Sequence, residues 1–170
     1  MQVWLLTNNL VCELIHELAG KSIFKPGPDF PDPLFSSIMM KYIYAFIATA
    51  IVLLAVDFLW LKFVMSSVFK SELGEIVLAS PRMSAAIMFY ILYAIGLVVL
   101  IISRSGSTSW SEALLLGGLF GLVAYGTYDL TNLATLKVWT VKLAAIDMAW
   151  GSILTAASVA AGRAAYLFAD

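Results

Sequence analysis

Three aspartates interrupt otherwise apolar stretches of the chain and are the residues best suited to chemistry. Asp57, Asp129 and Asp147 each lie inside a long run of hydrophobic residues. A charge at the centre of a membrane-spanning helix costs roughly 2.5–3.5 kcal/mol on insertion scales, so such residues are seldom kept without a use. A carboxylate held there can bind a proton or a cation, act as a general acid or base, or fix helix packing.

The positions of these aspartates along their segments predict that they meet in one layer. Asp57 lies 16 residues after Lys41, and Asp129 lies 17 residues after Glu112. At about 1.5 Å per residue, both lie about 25 Å from the side where their helices begin. Asp147 lies only six residues into a segment that starts from the opposite side. All three are therefore expected near the turn that precedes the last helix.

Small and polar residues share a helix face with two of the aspartates. In the last segment this stripe comprises Asp147, Gly151, Thr155, Ser158 and Gly162. In the third segment the corresponding face comprises Gly118, Gly121, Tyr125, Asp129 and Asn132. Small residues let helices approach closely in a membrane. The two faces are predicted to meet and to bring Asp129, Asn132 and Asp147 together.

One short pattern, an aspartate followed three residues later by a tryptophan, occurs twice. It places Trp60 one helical turn after Asp57, and Trp150 one turn after Asp147. The tryptophans and tyrosines are interpreted first as residues of the membrane interface, where such rings are enriched. The alternative is a binding site near the aspartate layer, whose predicted residues are Asp57, Trp60, Tyr128, Asp129, Asn132, Asp147 and Trp150.

A purely structural role for the aspartates stays open. An aspartate within a turn or two of a helix end can bond a lysine, an arginine or a tyrosine hydroxyl and only fix packing. Lys62 and Arg82 lie at the expected boundary, and either is a candidate partner for Asp57. Tyr90 and Tyr93 of the second segment are expected at a similar or slightly greater depth.

The composition requires that these residues be positioned by membrane-spanning helices. The chain has 170 residues, of which 62% are hydrophobic and 12% are charged. A soluble domain carries about a quarter charged residues, so this chain has too few charges to cover a surface in water. Apolar segments over about 42–65, 84–103, 111–136 and 141–162 each suffice to cross about 30 Å of hydrocarbon.

The predicted fold class is all-α, an integral membrane bundle of four transmembrane helices. Inside lipid the backbone must satisfy its own hydrogen bonds, which favours helices over isolated strands. Residues 66–83 carry apolar side chains at helical spacing and predict a short interfacial helix between the first and second spans. The tight 137–142 link predicts that the last two spans are antiparallel neighbours, with Trp139 as an interface anchor.

The first 38 residues differ from the rest and contain four of the five prolines. They are predicted to be an N-terminal extension, either poorly ordered or upstream of the natural start, ahead of a transmembrane domain over 39–170. The single cysteine, Cys12, excludes an intramolecular disulfide, and the lone His16 excludes a cluster of several histidines. No metal site and no cofactor are predicted, and a net charge of −1 offers no basic surface for nucleic acid.

Residues 126–136 (GTYDLTNLATL) and 146–151 (IDMAWG) resemble an uncharacterised bacterial membrane protein family, domain of unknown function 2177. The similarity extends over about 40–166 and implies a four-span bacterial inner-membrane protein with a natural start near Met39 or Met40. The family has no established activity to carry over. The polar motif residues that the resemblance implies are Asp57, Trp60, Tyr128, Asp129, Thr131, Asn132, Asp147 and Trp150.

Three functions follow as hypotheses. The first is a protein that binds or transports a small solute, cation or proton through the aspartate cluster, as a dimer that encloses a path. The second is an assembly protein whose small-residue faces dock another membrane protein. The third is a lipid-modifying enzyme at the leaflet boundary, in which Asp129 and Asp147 act as acid and base or hold a metal, with Asn132 and Tyr128 orienting the substrate. The expected partners are the lipid bilayer and a second copy or another membrane protein, without nucleic acid.

Overall fold

The computed structural model describes residues 33–66, 78 and 80–169, and this part of the chain contains four long helices and no strand. The helices are α1 (Pro33–Trp60), α2 (Met83–Leu100), α3 (Trp110–Thr135) and α4 (Val141–Phe168). A π-helical turn, Leu61–Met65, continues α1, and a 3-10 turn, Ile102–Arg104, follows α2.

Each of the four helices is long and apolar enough to cross a membrane, which confirms the predicted fold class. The candidate spans are Phe35–Met65, Met83–Arg104, Trp110–Thr135 and Val141–Phe168. The interfacial helix predicted between the first two spans lies almost wholly outside the described residues. The division at residue 38 stays a prediction, although the first helix already begins at Pro33.

The last helix runs further than its apolar pattern predicted. It continues beyond residue 162 to Phe168 because the added turn contains alanine, leucine and arginine, which are good helix formers, and neither glycine nor proline. Arg163 therefore belongs to the helix, and its side chain is buried.

Side-chain caps set where the last two helices begin. The Ser109 hydroxyl accepts a hydrogen bond from the backbone N–H of Glu112 at 3.2 Å, in the spacing of a capping box. The Thr140 hydroxyl accepts from the backbone N–H of Leu143 at the same distance. Since a cap satisfies a backbone donor that would otherwise be unpaired, it fixes the register of the helix that follows.

Large apolar side chains cover the outside of the bundle. Phe58, Val99 and Leu115 are each more than half exposed, as expected of surfaces that face lipid rather than water. The interior combines apolar residues with small and polar ones. Its main cluster is formed by Ala45, Leu53, Tyr93, Leu97, Val98, Ile101, Ile102, Ala113, Leu154 and Val159.

Helices α3 and α4 form the most closely packed pair, as the short link between them predicted. A methyl group on Gly121 would overlap the Gly151 carbonyl oxygen and the Thr155 side chain. One on Gly151 would overlap the ring of Tyr125. Because lipid tails are as apolar as the side chains, such close backbone approach is a main source of helix association in a membrane.

The small-residue stripe of α4 does not face α3 along its whole length, contrary to the prediction. Its end at Gly162 lies against Thr49 and the Ala45 carbonyl of α1 and against Ile102. Packed helices cross at an angle, so a straight stripe on one helix passes from one neighbour to another. The half that carries Asp147 and Gly151 is the half near α3.

Candidate functional site: a carboxylate layer within the bundle

Asp57 is held by hydrogen bonds from two other helices. Its side chain is 6% exposed. The Tyr90 hydroxyl of α2 donates to one carboxylate oxygen at 2.5 Å, and the Trp150 indole N–H of α4 donates to the other at 3.1 Å. The predicted pairing with Lys62 or Arg82 is wrong, and both of these side chains are exposed. Asp57 is therefore paired with the neutral donors Tyr90 and Trp150 instead of with a cation.

Asp129 is fully buried and only half satisfied. One of its oxygens accepts a hydrogen bond from the Trp139 indole N–H at 3.2 Å. The second oxygen, Oδ2, is buried and has no hydrogen-bond partner. A carboxylate can accept about four hydrogen bonds, so Asp129 retains most of its capacity.

Trp139 is not an interface anchor, and that prediction is wrong. The residue is 6% exposed and packs with Met65, Leu143 and Ala144. Its backbone N–H donates to the Leu136 carbonyl at 3.2 Å, which closes a turn after α3 and directs the chain back. The indole points inwards, where its N–H donates to Asp129.

Asp147 is half-buried and interacts electrostatically with both other aspartates. The structure thus brings together the three carboxylates that were expected in one layer. The Trp60 indole also interacts with Asp147. However, the Trp60 N–H is buried and has no acceptor in hydrogen-bonding geometry.

The two aspartate–tryptophan patterns are exchanged between α1 and α4. Trp150, one turn after Asp147, donates to Asp57, whereas Trp60, one turn after Asp57, lies at Asp147. The two indole rings stack with their centroids 4.2 Å apart and their planes 5° from parallel. In each pattern the tryptophan of one helix therefore lies beside the aspartate of the other. The Trp150 N–H is hydrogen-bonded to its aspartate, whereas the Trp60 N–H is not.

Next to the tryptophan stack the backbone changes from an α-helix to a π-helix. The π-helical turn Leu61–Met65 follows Trp60 directly. A π turn is wider than an α turn, and such turns are frequent at functional sites. Here it keeps Met65 on the side of Trp60, so that both side chains pack against the cluster around Trp139.

A second hydrogen-bonded group lies among the same helices. The Tyr93 hydroxyl of α2 is 2.7 Å from the Thr155 hydroxyl of α4, which donates to the Gly151 carbonyl at 2.6 Å. Because the Thr155 proton is used by that carbonyl, Tyr93 is the donor of the pair. Tyr125 packs on Gly151 from α3. These contacts join α2, α3 and α4 beside the carboxylate layer.

Not all predicted site residues lie at the centre of this layer. Tyr128 is 54% exposed, contacts Trp139 edge-on at 5.4 Å between ring centroids, and interacts with the half-buried Asn132 one turn later. Sequence reasoning missed Trp139 as a partner of Asp129, because nothing in its spacing distinguishes it from an interface residue. The predicted residues that the structure brings together are Asp57, Trp60, Asp129, Asp147 and Trp150.

Within the part of the chain that the structure describes, no cationic side chain balances the charge of the layer. Among residues 33–66, 78 and 80–169, no lysine or arginine forms an ion pair with any of the three aspartates. The same residues contain no group of three or more Asp, Glu, His or Cys side chains placed to hold a metal ion. The tryptophan and tyrosine donors lower the cost of burying the carboxylates without neutralising them.

Four apolar helices with ionisable groups buried between them define a multi-pass helical membrane protein. A family model described as "Predicted membrane protein (DUF2177)" matches residues 42–164, and the chain belongs to that family. The matched region contains all three aspartates and both members of the tryptophan stack. No curated protein and no solved structure matches the chain.

Proposed function

We propose that the protein binds a proton, a small cation or a cationic solute at the carboxylates of Asp129 and Asp147 and carries it across the membrane. One observation supports the proposal above all: three carboxylates, two buried and one half-buried, lie in one layer, and no cationic side chain of the described residues pairs with them. Uncompensated charge inside a membrane is costly. A bound proton or cation removes that cost.

The hydrogen bonds suggest different roles for the three aspartates. Both oxygens of Asp57 are occupied by donors from α2 and α4, so this residue holds three helices together. Asp129 keeps a free oxygen, and the Trp60 N–H beside Asp147 has no acceptor in hydrogen-bonding geometry. The capacity to bind a ligand therefore lies with Asp129 and Asp147.

Transport requires that binding be linked to helix movement. Asp147 belongs to α4, and its neighbour Trp60 belongs to α1 and stacks on Trp150. A change of charge at Asp147 alters its attraction for the Trp60 N–H and so acts on the contact between α1 and α4. With four spans in one chain, we expect a second copy to complete the path, in a bacterial inner membrane as the family resemblance implies.

The alternative of an assembly protein is less well supported. It relied on small-residue faces of the third and fourth spans that are free to dock a partner. The residues concerned are already packed between α3 and α4, since Gly117 lies against Val159, and Gly121 against Gly151. No contact of the described residues favours the lipid-modifying alternative over simple binding.

Transport is tested with the full chain in liposomes that contain a pH-sensitive dye. Proton flux is measured under an imposed pH gradient, and Na⁺, K⁺ and ethylammonium fluxes are measured separately. We expect Asp147→Asn to reduce the wild-type flux to that of empty liposomes. The matched control is Glu112→Gln, a carboxylate exposed in the first turn of α3, which should leave flux unchanged. Wild-type flux in Asp147→Asn, or no flux of any of these ions in the wild type, contradicts the proposal.

A further inference from the structure

Hydroxyl groups follow one another through the interior of the bundle, beginning at Asp57. The Tyr90 hydroxyl donates to Asp57 at 2.5 Å, and Tyr93 lies one turn after Tyr90 on α2. The Tyr93 hydroxyl is 2.7 Å from that of Thr155 on α4. One turn further along α4 lies Ser158, which is fully buried. Because side chains one turn apart share a helix face, these hydroxyls form a line that leads away from the carboxylate layer.

The line continues with two buried hydroxyls that have no partner. Gly162 lies one turn after Ser158, and a methyl group on it would overlap the Thr49 hydroxyl of α1 and the Ile102 side chain. Thr49 is fully buried, and so is the Ser105 side chain in the turn after Ile102. Neither hydroxyl has a hydrogen-bond partner among the described residues. Both chain neighbours of Ser105 are exposed, so the line ends at the surface of the bundle.

This hydroxyl track, as we name it, covers much of the membrane thickness. It comprises Tyr90, Tyr93, Thr155, Ser158, Thr49 and Ser105. Trp150 donates to Asp57, and Gly162 lies against Thr49, so two ends of the track are marked on α4 by residues 12 positions apart. At about 1.5 Å per residue this separation is about 18 Å. The track therefore leads from the carboxylate layer, near the start of α4, to the turn at the other end of the bundle.

The chemistry of the track suits a proton rather than a metal cation. Buried polar atoms without a protein partner are usually bonded to water. A hydroxyl has one proton to donate and two lone pairs. It can take a proton on its oxygen and pass its own proton to the next acceptor, so that a charge moves on and the group is unchanged. A metal cation would have to pass bodily between Gly162, Thr49 and Ile102, which are in direct contact.

We infer that the hydroxyl track, completed by single water molecules beside Thr49 and Ser105, relays protons between the carboxylate layer and the far side of the membrane. This inference rests on the proposed function and names its substrate, the proton, and its route. The route lies inside one chain, so the second copy would concern only the short remainder on the other side of the layer. Arg163 follows Gly162 and adds a fixed positive charge at this end, so we expect the relay to be slow.

The test compares substitutions of Thr49 in the full chain, reconstituted in liposomes that contain a pH-sensitive dye. Potassium and valinomycin balance the charge that protons carry. Thr49→Val keeps the shape of the side chain and removes the hydroxyl, so it should lower the proton flux by about tenfold or more. Thr49→Ser keeps a hydroxyl and should retain the wild-type flux. The matched control is Thr127→Val, an exposed threonine of α3 that donates to the Val123 carbonyl at 2.8 Å, and it should also retain the flux.

Unfolding measurements separate a relay from a packing role. The Thr49 hydroxyl has no hydrogen bond to lose, so Thr49→Val should leave the unfolding equilibrium unchanged or shift it towards the folded state. A loss of stability that accompanies the loss of flux overturns the relay role of Thr49. If Thr49→Val does not fold, Tyr93→Phe takes its place, because it keeps the ring and removes the hydroxyl that contacts Thr155. It should lower the proton flux to the same extent.

The outcomes distinguish this inference from the proposed function. Wild-type proton flux in Thr49→Val and in Tyr93→Phe overturns the relay, whereas a flux that still requires Asp147 leaves the proposed function standing. Flux of Na⁺ or K⁺ above that of empty liposomes, if it depends on Asp147, overturns the proton as the substrate and supports cation transport instead. Proton flux that is independent of Asp147 overturns the proposed function and this inference with it.

Discussion

Two identical substitutions in the tryptophan stack isolate the value of one hydrogen bond. Trp60 and Trp150 are both half-buried and lie face to face at 4.2 Å between ring centroids. They differ in their N–H groups, since Trp150 donates to Asp57 and Trp60 has no acceptor. Trp150→Phe therefore removes a hydrogen bond to a carboxylate, whereas Trp60→Phe removes none.

The structure sets the expected difference in stability. Both variants lose a similar ring area from the same stack, so this loss cancels when they are compared. Hydrogen bonds to charged groups contribute about 1.5–3 kcal/mol in soluble proteins. Interhelical bonds in a membrane protein average about 0.6 and reach about 1.7 kcal/mol. We expect Trp150→Phe to cost about 1–2 kcal/mol more than Trp60→Phe, or about 5–30-fold in the unfolding equilibrium.

The difference is measured by reversible unfolding in mixed micelles of a mild detergent and dodecyl sulfate. Far-UV circular dichroism is the readout, because each variant lacks one of the fluorescent tryptophans. The wild type and Trp110→Phe, which changes an indole far from the stack, set the baseline. Equal free energies of unfolding for the two stack variants, or a larger loss for Trp60→Phe, would refute the hydrogen-bond assignment.

Three further predictions concern other contacts. Gly121→Ala should destabilise the protein by about 1–3 kcal/mol in the same unfolding assay, because its methyl group overpacks the α3–α4 contact. The control is Gly96→Ala, whose added methyl group would meet Phe120 at an ordinary 3.6 Å and should be neutral or stabilising. Arg163→Lys should speed amide exchange in the turn after α2, since lysine cannot replace the two bonds to Thr108 at 2.8 and 2.6 Å; unchanged exchange would contradict this. Trp139→Phe should cost about 1–2 kcal/mol in the wild type but not in an Asp129→Leu background, as a double-mutant cycle would show.

The sequence alone was sufficient for the architecture and for the expectation that the three aspartates share one layer. Long runs of apolar residues specify helices in a membrane, because a helix satisfies all of its backbone hydrogen bonds within one segment. Depth follows from a constant rise per residue, which is why Asp57, Asp129 and Asp147 could be placed in one layer before any contact was known. The antiparallel arrangement of α3 and α4 followed from the length of the link between them.

The partners of those residues depended on the tertiary structure. Asp57 pairs with Tyr90 and Trp150 rather than with a nearby cation, and Trp139 turns inwards to Asp129 rather than outwards to the interface. Sequence spacing gives the height of a side chain on its helix, but contacts between helices also depend on their rotation and crossing angle. The rotation and crossing angle of each helix are decided by the packing of the whole bundle. As a result, the Trp150 N–H is hydrogen-bonded to Asp57, whereas the Trp60 N–H has no acceptor in hydrogen-bonding geometry.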